Sequence, residues 1–195
     1  VMTPLFLGGE GQQADNQQFR NASFKGALRF WWRALNWGRV LKEAGGDGAT
    51  ALKALHDEEG ALFGLASDGE HSRQSLFSVH STLQGAKLQP PRMALQEVAY
   101  LLGQGLYNYK EGVTRSYLEG GTVEVLLQFK PGTPTAQVQA VQQAATALGL
   151  LGGLGSRARR GLGSLSLQSI TNANGAAQSF TSVHQIQKCI EMLDF

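Results

Sequence analysis

The sequence predicts an α+β fold of ferredoxin-like (RRM-like) βαββαβ order, with a glycine-rich loop after the second helix. Three stretches carry that expectation. GTVEVLLQFKPG (residues 121–132) places Val123, Val125, Leu127 and Phe129 on one face of a strand, between a glycine and a proline–glycine pair. SFKGALRFWWRAL (23–35) repeats Phe24, Leu28, Trp31 and Leu35 at helical spacing. LGGLGSRARRGLGS (151–164) packs five glycines and three arginines into fourteen positions, without an acidic residue.

Taken in order, TPLFLGG (3–9) reads as the end of a strand, because Pro4 and the paired glycines stop it, and a Gly- and Gln-rich loop follows to about residue 21. Since the chain starts at Val1 within this strand, most of the first strand is expected to be missing. Ser23 is expected to cap the long first helix. SLFSVHSTL (75–83) alternates as a strand does. Residues 93–109 suggest a short helix ending near Leu102, with a loop beyond. After the strand at 121–132, Thr133 caps a second helix with Pro134 in its first turn, and Val138, Val141, Ala145 and Leu148 line its buried face. The glycine loop leaves that helix for SLSLQSI (164–170), an edge strand. Residues 171–179 have linker composition, and SVHQIQKCIEML (182–193) restarts a helical pattern with Val183, Ile186, Ile190 and Leu193. The expected organisation is one domain over 1–170, then a linker and helix over 171–195 that docks on it or begins a second domain.

Composition agrees with that size. A chain of 195 residues, 42% hydrophobic and 16% charged, suits one compact domain with an appendage. No stretch resembles a signal peptide or a membrane span of roughly 20 apolar residues. Cys189 is the single cysteine, which excludes an intrachain disulfide and a cysteine-based zinc cluster and suits a reducing compartment; the expected location is the cytoplasm. The formal net charge of +2 is small, but its distribution is uneven. Arg20, Lys25, Arg29, Arg33, Arg39 and Lys42 follow one another with no acid among them, and Arg157, Arg159 and Arg160 form a second basic knot.

Glycines permit positive φ and close approach of backbone amides to a ligand, and arginines supply planar forks for phosphate oxygens. The 151–164 stretch therefore suits a sugar-phosphate backbone held without base readout. A dinucleotide fingerprint fails, because Ala158 stands where its third glycine belongs and the loop follows a helix; a P-loop fails for want of Gly-Lys-Ser or Gly-Lys-Thr. The plain alternative is a glycine-rich turn packed on its helix, with solvated arginines. On the first helix, Trp31 and Trp32 read as packing residues, not base-stacking platforms. Lys25, Arg29 and Arg33 read as either a solvated face or a phosphate-binding one.

TPLFLGG, SFKGALRFWWRAL, LFG and above all GGLGSRARRGLGS resemble the repeat-associated mysterious protein (RAMP) superfamily of CRISPR antiviral systems, and within it the first subunit of the type III-B effector complex. The resemblance covers about residues 2–168. Gly153, Gly155, Gly161 and Gly163 match the family's G-x-G-x5-G-x-G spacing, and Lys-Gly-Ala-Leu-Arg-x-Trp-Trp-Arg narrows the likeness to that subunit. It implies a RAMP fold whose relatives carry a second ferredoxin-like domain. It also implies a noncatalytic subunit that contacts guide CRISPR RNA near its 3′ end, helps to capture target RNA and meets other RAMP subunits, with no membrane partner. The implied RNA-binding residues are Lys25, Arg29, Arg33, Gly153, Gly155, Ser156, Arg157, Arg159, Arg160, Gly161 and Gly163.

The alternative is a metal-independent endoribonuclease that processes CRISPR precursor RNA, as some relatives do. That chemistry needs a general base beside a 2′-hydroxyl, and His56, His71, His80 and His184 are the histidines available. None lies in the first helix or the loop before it, so no catalytic residue is assigned. Asp15, the early-loop aspartate, lacks a metal-binding companion, and no metal or cofactor is expected. A third reading is architectural, with the basic patches meeting acidic protein surfaces.

Overall fold

The computed structural model describes residues 1–7, 19–66, 72–91, 102, 103, 105–191 and 193. It is a mixed α and β structure of two compact units that interleave along the chain. One comprises Val1–Phe24, Ser81–Val125 and Leu151–Ser166; the other comprises Lys25–His80, Leu126–Leu150 and Leu167–Phe195.

Helix α1 (Asn21–Glu43) starts two residues earlier than expected. The Arg20 carbonyl accepts from the amides of Ser23 and Phe24, so Ser23 lies in the first turn instead of capping it. The buried stripe is Phe24, Leu28, Trp32 and Val40, with Trp31 and Leu35 only half-buried. The correction is small in sequence but moves the core face by one residue. Helix α2 (Gly48–Phe63) is an element that the sequence pattern does not announce. Asp47 caps it by accepting from Thr50 N, and Gly64 at φ 88 ends it.

Strand β1 (Phe77–Gln84) pairs with β6 (Thr122–Phe129). Lys130 N donates to Leu76 O at one end, while Gly85 and Gly121 lie together at the other, which makes the pair antiparallel. Val123, Val125, Leu127 and Phe129 share the more buried face of β6, as its alternation predicts. Between them, β2 (Lys87–Gln89) pairs with β5 (Tyr117–Glu119), and β3 (Tyr107–Asn108) with β4 (Gly112–Val113). Strand β3 falls in the stretch expected to be a loop after Leu102. The helix expected at 93–102 falls largely outside the described residues.

Helix α3 (Thr135–Leu151) buries Val141, Ala144, Ala147 and Leu148. Thr133 does not cap it through its side chain; that hydroxyl donates to Lys130 O, and the Pro134 carbonyl accepts from Gln137 and Val138 instead. Beyond the glycine loop, the edge strand expected at 164–170 is displaced. Ser164 makes only an isolated bridge, Leu167 N donates to Gly149 O at the end of α3, and the named strand begins at β7 (Ser169–Thr171). The expected linker forms the turn and partner strand β8 (Ala177–Ser179) of a hairpin. Turn residues have linker composition, which is why composition alone misassigns it. Helix α4 (Val183–Glu191) is capped reciprocally: Ser182 Oγ accepts from Gln185 N, and Gln185 Oε1 from Ser182 N. Cys189 and Leu193 are buried near its end, whereas Val183 is exposed.

In the expected order TPLFLGG supplies the first strand. Its described part makes only the bridge Leu5–Leu118, and the strand pairs among the described residues are four separate two-stranded sheets. In the first unit Phe6, Leu102, Leu106, Val113, Tyr117 and Leu162 form one apolar cluster. In the second, an aromatic chain runs from Trp32 to Phe63, Phe77 and Phe129, with successive ring centroids 6.0, 5.3 and 5.3 Å apart.

Candidate functional site

The glycine loop is tied at its base. Gly153 and Ser164 form an antiparallel bridge, Leu154 N donates to Gly163 O at 2.9 Å, and Leu154 and Leu162 are buried on either side. Residues 3–6 lie against it. Ser156 N donates to Phe6 O, Gly163 N to Pro4 O and Ser164 N to the Thr3 hydroxyl. A Cβ on Gly155 would run into Phe6 O, and one on Gly163 into Leu154 O. These two glycines are required by close backbone packing, in addition to their positive φ. Gly161, at φ 80 in open space, is required by conformation alone.

The amides of Leu154, Ser156, Arg160, Gly163 and Ser164 donate to protein acceptors, so these five are already engaged within the chain. What the loop presents is its arginines. Arg157 begins a short 3-10 turn (Ala158–Arg160) in the left-handed conformation, at φ 62 and ψ 25, and is the one non-glycine residue with positive φ among those described. Its Nε donates to Leu102 O at 2.9 Å, which holds the half-buried side chain. Arg159 and Arg160 are exposed.

Two guanidinium groups converge at Gly103. A Cβ built there would lie 3.5 Å from Arg157 Nη2 and 3.6 Å from Arg160 Nη1. Gly103 itself adopts positive φ, at 59°. In sequence the loop lies within a long run without carboxylates, since no Asp or Glu occurs between Glu124 and Glu191. Sequence reading missed Gly103, which is about fifty residues from the loop.

Lys25, Arg29 and Arg33 belong to the other unit and form their own cluster. Lys25 Nζ lies 5.1 Å from the Phe77 ring centroid, and desolvation, followed by the charge of Arg29, lowers its pKa below the ordinary lysine value. Arg29 lies over Phe63 and donates through Nη2 to Gly64 O. Glu59 Oε1 is 3.2 Å from Arg29 Nε, and Glu59 Oε2 is 3.1 Å from Arg33 Nε. The Arg29 contact is electrostatic, because its geometry falls outside that of a hydrogen bond. Glu59 is a second residue that sequence reading missed. Its sequence signal is an acid four residues after the buried Leu55 on α2. Arg39 stands apart from the basic group and pairs with Glu43 and Glu58.

His56, His80 and His184 are exposed, and His80 Nε2 is 3.0 Å from Ser78 Oγ. His71 and Asp15 lie outside the described residues. Among the described residues no three His, Cys, Asp or Glu side chains gather as a metal site, and no helix is long and apolar enough to cross a membrane.

The fold is similar to that in the crystal structure of Cmr1 from Pyrococcus furiosus in its apo form, with a TM-score of 0.56 and 22% identity, over 99% of this chain and 55% of that one. The chain thus spans about half the length of that protein. No curated protein matches it. The family model of the RAMP superfamily matches residues 1–166, which include α1, the strand pairs from β1 to β6, α3 and the whole glycine loop; on this match the chain belongs to the RAMP superfamily.

Proposed function

We propose that this chain is a noncatalytic RNA-binding subunit of a type III-B CRISPR interference complex, working in the cytoplasm beside other RAMP subunits. It contacts guide RNA near its 3′ end and helps to capture target RNA. The ferredoxin-like plan of the family supplies the frame; Arg157, Arg159 and Arg160 supply one phosphate-binding surface, and the α1 cations another. The observation that carries this reading is the convergence of Arg157 and Arg160 beside Gly103. Guanidinium pairs suit phosphate oxygens. Family membership and the likeness of fold to Cmr1 support the same reading.

The test is binding of labelled single-stranded RNA across a salt series, for wild type and the Arg157→Ala, Arg159→Ala, Arg160→Ala variant. Removing one phosphate-binding side chain is expected to flatten the log-log salt slope by about 0.7. Equal affinity and slope in the two proteins would remove the loop from the binding surface. For the noncatalytic assignment, the RNA is expected to stay intact on a denaturing gel with EDTA present. Specific cleavage that disappears in His80→Ala or His71→Ala would establish an endoribonuclease instead.

A further inference from the structure

Glu59 treats its two arginine partners differently. Arg29 is held on several sides, by the Gly64 carbonyl at Nη2, the Phe63 ring and the Glu59 carboxylate, and its side chain is 33% exposed. Arg33 is held through Nε, which forms an ion pair with Glu59 Oε2 at 3.1 Å and donates a long hydrogen bond to Arg29 O at 3.5 Å. Its Nη1 and Nη2 atoms make no hydrogen bond with the described residues, and its side chain is 51% exposed. Glu59 itself is only 12% exposed, so the anchor is buried while the group it anchors meets solvent.

A guanidinium fixed through Nε keeps its terminal edge of two parallel N–H groups free, and that edge meets a phosphate bidentately. An arginine aimed beforehand loses less side-chain freedom when it binds. We propose that Glu59 is a positioning residue that presents the Nη1/Nη2 fork of Arg33 to an RNA phosphate, while Arg29 serves as the internal anchor of the pair. The inference rests on the RNA-binding reading above and assigns the contact within it.

Charge alone predicts the opposite effect for Glu59. Removing a negative charge from a polyanion-binding face raises affinity, whereas losing the alignment of Arg33 lowers it. The experiment measures binding of a fluorescent single-stranded oligouridine to the full chain over a salt series, for wild type, Glu59→Gln, Arg33→Lys, Arg33→Gln and the Glu59→Gln, Arg33→Gln double variant. Glu59→Gln is expected to weaken binding about three- to tenfold despite its gain in net positive charge. Arg33→Gln is expected to weaken it and flatten the slope by about 0.7. Arg33→Lys keeps the charge without the fork, so it loses affinity with the slope unchanged.

In the Arg33→Gln background Glu59→Gln should have no further effect, which a purely structural role for Glu59 would not produce. Tighter or equal binding by Glu59→Gln, an Arg33→Lys protein equal to wild type, or an undiminished Glu59 effect in the double variant overturns the inference. If Glu59→Gln does not fold, the Arg33→Lys comparison decides it at an exposed position. Wild type that fails to bind would overturn the RNA reading, and this inference with it. Wild type that binds while Arg33→Lys is indistinguishable overturns this inference alone.

Discussion

Gly163 turns its α-carbon against the carbonyl oxygen of Leu154, leaving no room for a side chain between them. The same residue has φ 63 and donates its amide to Pro4 O, so one glycine closes the loop, seats it on residues 3–6 and adopts a backbone that other residues resist.

Gly163→Ala should therefore destabilise the protein far more than Gly161→Ala. The first substitution combines left-handed backbone with a clash against main chain, an expected loss of about 3 kcal/mol or more. The second meets open space and should cost about 1 kcal/mol, for backbone conformation alone. Chemical denaturation of the two variants measures the difference; equal losses would mean that the close approach relaxes freely.

Arg157 separates strain from binding. Replacing it with glycine or alanine removes the same hydrogen bond to Leu102 O, but only glycine accepts φ 62 without penalty. Arg157→Gly is expected to be more stable than Arg157→Ala by about 1 kcal/mol, with RNA affinity reduced equally in both. Denaturation and binding measured on the same two proteins check both halves of this prediction.

Trp32 and Trp31 adjoin in sequence but differ in burial. Trp32 is 3% exposed and packs edge-on against Phe63, with ring centroids 6.0 Å apart, whereas Trp31 is half-buried. Trp32→Ala should cost about 3–5 kcal/mol of stability, and Trp31→Ala less than about 2. Thermal and urea unfolding will rank them; the reverse order would show that the other face of α1 carries the core.

Burial pushes the Cys189 thiol pKa up. The folded protein favours the neutral thiol, so this contribution to stability is complete below the unfolded thiol's pKa and is lost as pH rises through the folded one. Two outcomes follow. Iodoacetamide should label native Cys189 more slowly than a cysteine in an unstructured peptide at mildly alkaline pH, and Cys189→Ser should flatten the alkaline fall in stability. Labelling at the peptide rate would show the thiol to be accessible.

Local pattern and distant contact divide what was legible. The sequence alone determined α1, α3, the alternation of β6 and the spacing of Gly153, Gly155, Gly161 and Gly163, because period and glycine placement act within a few residues and need no partner. The tertiary structure alone decided that Trp32 and not Trp31 joins the core, that the loop's glycines serve residues 3–6, that Arg157 turns to Leu102 while Arg159 and Arg160 stay exposed, and that Arg29 and Arg33 share Glu59. It also made a hairpin of residues that read as a linker, since strand pairing depends on what the chain meets. Each of those partners lies from several to more than a hundred residues away in sequence. Burial and charge neutralisation are properties of neighbours in space, and a pattern that repeats every two or four residues does not specify them.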